Sequence, residues 1–267
     1  MKKYTVLLAV LLFSGTAVLR ADTMVFDRGL PTANLNDTAG ANRSNVAWGD
    51  AYDTKSWATG DDFNLGMAGN VQITDLRVWI IGTDSQPLST MWSDLTLFGG
   101  DTTAASVNVL TPTSVVISPA TYADGSTYQG SLGGSINIWQ VDFHLNWLVD
   151  GSTTHTFFVG GTPTQANVGI YGVGVSPSLH ASNAALSGLP QQGADDLFRE
   201  ISYTGSTIDH FGTWDSAPVL GGGGWDKSSD INVQIFATPE PSAYILLGTV
   251  LLSLALLTRK KKHQEQR

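Results

Sequence analysis

The sequence predicts an all-β fold, an antiparallel β-sandwich of jelly-roll type, for residues 22–238. This body is rich in Gly, Ser, Thr, Asn, Asp and aromatic residues and poor in the residues that favour helices. Several segments alternate apolar and polar residues with a period of two, and turn-forming pairs such as Asp150-Gly151 separate them. We find no segment of the body with an apolar stripe at helical spacing.

The clearest predicted strand runs from Trp139 to Trp147, where every second residue is apolar. Ile136 and Ile138 follow the opposite phase, which predicts a β-bulge near Ile138. Asp150-Gly151 lies between two aromatic-rich runs and predicts a hairpin. The same patterns predict further strands at residues 71–82, 95–98, 107–110, 115–117, 154–159, 168–175, 197–203 and 231–237.

The N-terminal residues have the pattern of a secretory signal peptide. Lys2 and Lys3 precede an apolar stretch at residues 6–13, and small residues lead to Ala21, where we expect cleavage. Residues 1–21 are therefore the predicted signal peptide, and the body is expected to be exported. The chain has no cysteine, so the exported body uses neither disulfides nor thiolate chemistry.

The C-terminal residues have the pattern of a single transmembrane helix. Residues 242–258 carry no charge, and a helix of these 17 residues is about 25 Å long, which is near the minimum for crossing a bilayer. The next four residues are the cations Arg259, Lys260, Lys261 and Lys262, which favour the cytoplasmic side. The basic end at residues 259–267 is thus expected inside the cell and the body outside.

Two prolines precede this predicted span. Pro239 and Pro241 disfavour helical backbone at the residues before them, so Thr238 and Glu240 are expected to be extended. Pro239-Glu240-Pro241, followed by the short apolar span and the basic end, resembles the PEP-CTERM sorting signal of bacterial exported proteins. The resemblance implies that residues 239–267 are recognised by an exosortase, a membrane-embedded transpeptidase that processes the tail.

A second, shorter resemblance lies inside the body. Gly60-Asp61-Asp62-Phe63-Asn64-Leu65, followed by a strand with Val78-Trp79, is similar to a pattern near the start of many PEP-CTERM ectodomains. Together the features predict a signal peptide, a β-sandwich ectodomain at residues 22–238, and a sorting and anchoring segment.

The body is strongly acidic. It contains six Lys and Arg residues against 20 Asp and one Glu, a net charge of −15. Nucleic-acid binding needs cations that neutralise phosphates, so we expect no nucleic-acid partner.

Motifs with a defined catalytic geometry are absent from the sequence, and no enzymatic activity is expected. A glycosidase needs two carboxyl groups about 5 to 9.5 Å apart on one substrate. The adjacent pairs Asp61-Asp62 and Asp195-Asp196 do not suit this, because neighbouring strand residues face opposite sides of a sheet. His144 and His155 are expected to face each other across the predicted hairpin as a solvated pair.

Two ligand classes remain open. Asp50, Asp53, Asp61 and Asp62 are close enough in sequence to share a calcium ion, with turn capping and solubility as the alternative role. Trp48, Trp57, Trp92, Trp214 and Trp225 lie in or beside Gly/Asp-rich segments, where an exposed indole stacks on sugars. Among these, Trp225, beside Asp226, is the first candidate for contact with an extracellular polysaccharide.

The sequence therefore predicts a non-enzymatic cell-surface or extracellular-matrix protein. A carbohydrate-binding surface module is the alternative from another class, and a secreted glycan hydrolase is the third.

Overall fold

The described part of the chain is built from β-strands. The computed structural model describes residues 22–32, 34–35, 43–47, 56–81, 87–120, 138–164, 176–182, 190–213 and 229–238. These residues contain no α-helix, only a single 3-10 turn at Leu88–Thr90. No helix in these ranges is long and apolar enough to cross a membrane. The all-β prediction is confirmed, whereas the signal peptide, the tail and the strand predicted at 168–175 lie outside the described residues.

The strands form two sheets. The described residues of the larger sheet are β1 (Thr23–Asp27), β2 (Asn34–Leu35), β3 (Arg43–Ala47), β5 (Asn70–Ile81), β8 (Ser114–Pro119), β9 (Ile138–Asp150), β11 (Leu179–Ser182), β14 (Asp230–Ile231) and β15 (Val233–Thr238). Those of the smaller sheet are β4 (Ser56–Asn64), β6 (Trp92–Gly100), β7 (Asn108–Leu110), β10 (Thr154–Pro163), β12 (Arg199–Thr204) and β13 (Thr207–Thr213).

The long pairings within both sheets are antiparallel. In the larger sheet the order is β1-β15-β5-β11-β3-β2, with β9 on β5, β8 on β9 and β14 on β11. In the smaller sheet it is β13-β12-β4-β10-β6-β7. The two-residue β2 runs parallel to β3, whereas β5 and β9 pair antiparallel from Asn70↔Asp150 to Ile81↔Ile138.

One apolar core is shared by the two sheets. Ile73 and Phe143 from the larger sheet belong to the same buried cluster as Phe63, Phe157 and Val159 from the smaller one. The Phe63 ring contacts the Phe157 ring, with centroids 6.5 Å apart, and meets the Trp147 indole edge-on at 5.7 Å. Burial of each such side chain contributes roughly 1.5 to 3 kcal/mol, so the sheets pack face to face through this cluster.

The hairpin predicted at Asp150-Gly151 is wrong. The turn joins β9 to β10, but β9 pairs with β5 and β8, whereas β10 pairs with β4 and β6. The chain therefore crosses from one sheet to the other at this point. The Asp150 carboxylate accepts hydrogen bonds from the backbone N–H and the hydroxyl of Ser152, as expected of a tight turn. Such local chemistry reverses the chain but does not choose the partner of each strand.

The bulge predicted near Ile138 is also wrong. Ile138 continues the regular register with Ile81, and the irregularity lies instead between Ile73 and Asp75 of β5. The apolar phase changes at Ile138 because this end of the sheet is buried on both faces, as the complete burial of Trp79 and Ile80 shows. A strand that is covered on both sides has no reason to alternate.

We predict that Gly60→Ala will destabilise the fold by more than about 2 kcal/mol, because overpacking moves backbone as well as side chains. A Cβ at Gly60 would lie 1.8 Å from the Phe157 carbonyl oxygen of the paired strand. Gly212→Ala is the matched control, since its Cβ would meet only the exposed His210 imidazole, which can move; we expect a change of about 0.5 kcal/mol or less. Urea denaturation measures both values, and equal losses would contradict the argument.

Candidate functional site

Six charged side chains of the described residues come together where the two sheets meet near β1, β4 and β14. We call this group the ion network; its members are Arg28, Asp61, Asp62, Asp195, Arg199 and Asp230. The network links both sheets, since Asp61 lies on β4 of the smaller sheet and Asp230 on β14 of the larger one.

Arg28 is the centre of the ion network. It directly follows β1, and its side chain is completely buried. Its Nη1 atom lies 2.7 Å from Asp61 Oδ2 and 3.6 Å from Asp230 Oδ1. Its Nε and Nη2 atoms donate to the carbonyl oxygens of Gln192 and Gly193 at 3.1 and 3.0 Å. The guanidinium thus uses its fork of donors in several directions at once, which a lysine ammonium would not reproduce.

Asp61 connects the sheets directly. Its Oδ2 atom accepts the backbone N–H of Ile231 at 2.8 Å, and Ile231 belongs to the larger sheet. Its Oδ1 atom accepts the N–H of Asp62 at 2.8 Å. Asp62 turns toward a second cation, since its carboxylate pairs with Arg199. Both oxygens of Asp61 therefore have partners inside the protein.

Asp230 fixes the loop that precedes β12. Its two carboxylate oxygens accept the N–H groups of Asp195 and Asp196, each at 3.0 Å. Asp196 has φ of 60°, the one non-glycine residue with positive φ in the described ranges. This left-handed conformation is uncommon outside glycine, although Asp adopts it more readily than most residues. The Asp230 carboxylate thus helps to hold a loop conformation that the local sequence alone disfavours.

The ion network contains more negative than positive groups. Two arginines face four aspartates, and Asp61 and Asp230 are completely buried. Burial raises the pKa of Asp61 to about 7 and that of Asp230 to about 6, although Arg28 acts in the opposite direction on each. Desolvation outweighs the ion pair because two buried carboxylates share a single buried guanidinium.

A neutral polar layer lies next to the ion network. The Asn232 Nδ2 atom donates to the Arg28 carbonyl and to Ser182 Oγ, so its Oδ1 atom accepts from His180 Nδ1 at 2.8 Å. The His180 Nε2 atom then carries a lone pair that has no partner among the described residues. Burial lowers the pKa of His180 to about 4, so this side chain is neutral.

The geometry of the carboxylates is compatible with holding a cation. One oxygen from each of Asp61, Asp195 and Asp230 lies within 4.8 Å of the others. Arg28 already supplies a positive group to the two buried members, at 2.7 and 3.6 Å. The arrangement therefore neutralises charge inside the protein and ties four chain segments together.

The predicted calcium group is only partly covered by the structure. Asp61 and Asp62 do come together, and both contact Arg28, at 2.7 and 3.9 Å. Their oxygens are engaged by arginines and backbone N–H groups, so Asp61 in particular, which is completely buried, serves neither as a turn cap nor as a solubilising surface charge. Asp50 and Asp53 lie outside the described residues, so the calcium group as a whole stays a prediction.

The histidines do not form the expected pair. His144 pairs with Asp75 within the larger sheet, whereas His155 Nδ1 lies 3.0 Å from an Asp101 oxygen beside the smaller sheet. They separate because β9 and β10, which carry them, belong to different sheets. Each imidazole has its own carboxylate partner.

The aromatic candidates are similarly divided. Trp57 and Trp92 are buried, so neither presents an indole face to a sugar. Trp48, Trp214, Trp225 and Asp226 lie outside the described residues, as do the sorting motif Pro239, Glu240 and Pro241 and the basic residues Arg259 to Lys262. The polysaccharide prediction therefore depends on Trp225, Asp226 and the other undescribed tryptophans.

Sequence reasoning missed Arg28 and Asp230, although one signal was present. Arg28 is one of only six cations in a body with 21 carboxylates. Because cations are scarce in the body and Arg28 directly follows an apolar strand, its position indicates that it neutralises a buried carboxylate. Its partners were not predictable, since Asp61 and Ile231 alone are separated by 170 residues.

The chain was also compared with known proteins. No family model matched it, and searches of curated proteins and of solved structures found no similar protein. The interpretation of the site therefore depends on its own geometry.

We predict that the pH dependence of stability will identify the buried Asp61 carboxyl. Its folded pKa of about 7 exceeds the unfolded value of 3.8, so the folded state holds this proton more tightly. Its contribution is fully present below pH 3.8 and is lost as the pH rises through 7. Asp61→Asn should remove this fall, which amounts to at most about 1.4 kcal/mol per pH unit.

The measurement is the free energy of unfolding in urea between pH 4 and pH 7 for wild type and Asp61→Asn. His180 has the opposite effect, because its lowered pKa makes stability rise over part of this range, but it is common to both proteins. Asp230→Asn, which removes the group with a pKa of about 6, serves as a second variant. Parallel pH profiles for wild type and both variants would refute the assignment.

Proposed function

We propose that this chain is an exported, non-enzymatic cell-surface or extracellular-matrix protein, carried by a C-terminal sorting signal that an exosortase processes. The observation that carries the proposal is the order of three features at the C-terminus. Pro239-Glu240-Pro241 comes first, an uncharged stretch at residues 242–258 follows, and Arg259 to Lys262 complete the pattern. This order matches the requirements of recognition outside the membrane, a short span, and retention of the basic end inside.

The architecture of the body supports this proposal. The two sheets are joined by an apolar core and an ion network, and the chain has no cysteine. Such a domain keeps its fold outside the cell whatever the redox conditions. Within the all-β class, we propose the jelly-roll type of sandwich.

The ion network supports a non-enzymatic role. The carboxylates of Asp61 and Asp230 accept N–H groups from the backbone and lie beside Arg28. They are therefore engaged in holding the sheets together. A catalytic carboxyl instead needs access to a substrate proton in a plausible pose.

We predict that Pro239→Ala/Pro241→Ala will block processing but not membrane insertion. Alanine no longer disfavours helical backbone at Thr238 and Glu240, so the helix of the span can extend toward the N-terminus through Glu240. The extended segment around Glu240 is then lost. The apolar length and basic end are unchanged. The matched control is Pro87→Ala/Pro190→Ala, which replaces two exposed prolines of the body.

The experiment uses the full chain with an epitope inserted in the exposed turn at residues 205–206, expressed in hosts with and without an exosortase. Wild type and control should be shortened and leave the membrane fraction only when the exosortase is present. The double variant should stay at full size in the membrane in both hosts. If it is shortened like wild type, the tail is an anchor and the sorting function is refuted.

A further inference from the structure

Strand β8 presents an apolar edge. Its consecutive residues Val115, Val116 and Ile117 are all exposed, Val116 to 46%. Among the described residues β8 pairs only with β9, so its other side lacks a strand partner there. Exposed edges of this kind recruit a further strand, and proteins that avoid this place charges or bulges on them. β8 contains neither a charge nor a register shift, and only Pro119 interrupts it.

The hydrogen-bond register defines which groups of β8 face outward. The Ala120 N–H donates to the Ile138 carbonyl at 3.0 Å, so Ala120 and Ile138 form a hydrogen-bonded pair. Val116 and Asp142 lie opposite each other four residues away on each strand, so they occupy an equivalent position in the ladder. Because partners alternate along an antiparallel strand, the even-numbered residues bond to β9. Val115 and Ile117 therefore direct their N–H and C=O groups away from β9.

The charge distribution favours a second copy of this chain as the occupant. Residues 102–123 carry no charge, although the body as a whole has a net charge of −15. Two nearby carboxylates on β9 and β5 have partners within the sheet, since Asp142 forms an ion pair with Arg77 at 2.5 Å and Asp75 contacts the His144 imidazole. An uncharged edge lets two strongly acidic bodies approach each other with little local repulsion.

We propose that β8 pairs antiparallel with β8 of a second copy, about a twofold axis at Val116. The segment Ser114-Val115-Val116-Ile117-Ser118 is almost palindromic, and an interface between identical chains has to be self-complementary. Pairing about Val116 places Val115 opposite Ile117 of the other copy, and these are the residues whose backbone groups point outward. Pro119, which has no N–H, falls at the end of the paired segment.

The side chains agree with this register. Val115 and Ile117 are in register with Phe143 and Val141 of β9, which are both completely buried in the core. In the pair, the exposed aliphatic residues of each copy extend the apolar face of the other. This inference does not depend on export or processing of the chain.

The test is cysteine cross-linking of the full-length chain, purified in a mild non-ionic detergent, with oxidised glutathione as oxidant. The native chain has no cysteine, so a single Val116→Cys reports only its own encounters. Opposite residues at a non-hydrogen-bonded pair have Cα atoms about 4.5 Å apart, within the range of a disulfide. The matched control is Val109→Cys, another valine on an edge strand, 43% exposed and in the same uncharged stretch.

We expect Val116→Cys to form a covalent dimer about tenfold faster than Val109→Cys, since pairing raises the local thiol concentration. Adding Val115→Pro removes an outward N–H from each copy and leaves the bonds to β9 intact, so the rate should fall to that of the control. Equal rates for Val116→Cys and Val109→Cys would overturn the proposal. So would a rate that Val115→Pro leaves unchanged.

Discussion

The structure depends on one buried guanidinium. Arg28 lies between carboxylates from both sheets, with Nη1 at 2.7 Å from Asp61 and 3.6 Å from Asp230. Without it, two completely buried aspartates would face each other without a counter-charge, and isolated buried charges are very costly. Apolar packing brings the sheets together without fixing their relative position. The ion network fixes it, because each of its contacts is directional.

Several features of the chain follow from this arrangement. Gly60 allows β4 to lie close to β10, and the next residue, Asp61, accepts the backbone N–H of Ile231 in the larger sheet. Phe63 fills the core, and the Asn64 side chain accepts the N–H of Gly66 at 2.8 Å as β4 ends. The segment from Gly60 to Leu65 therefore contributes to the strand pairing, to the ion network and to the apolar core. It brings together part of one strand, the ion pairs of Asp61 with Arg28 and of Asp62 with Arg199, and one aromatic core residue, Phe63.

The sequence predicted what depends on neighbours along the chain. The strands β5, β9, β10 and β12 were predictable because alternation is a local property of backbone geometry. The strand partners were not predictable from local sequence. Asp150-Gly151 reverses the chain, but β9 pairs with β5, and the paired residues Asn70 and Asp150 are 80 residues apart. For the same reason Asp61 and Asp62 were recognised as notable, while Arg28 and Asp230, which explain them, were missed. The small number of cations in the body was the one local feature that could have pointed to Arg28.

The most direct measurement of the central claim is a double-mutant cycle on the free energy of unfolding, with Arg28→Met, Asp61→Asn and their combination. Removing one partner of a buried pair costs about 3 to 5 kcal/mol, and Asp61→Asn should recover part of the loss caused by Arg28→Met. Arg77→Met, at a partly exposed ion pair with Asp142, is the control and should cost about 1 kcal/mol or less. If Arg28→Met costs no more than Arg77→Met, or if the two changes at Arg28 and Asp61 are additive, Arg28 does not hold the sheets together.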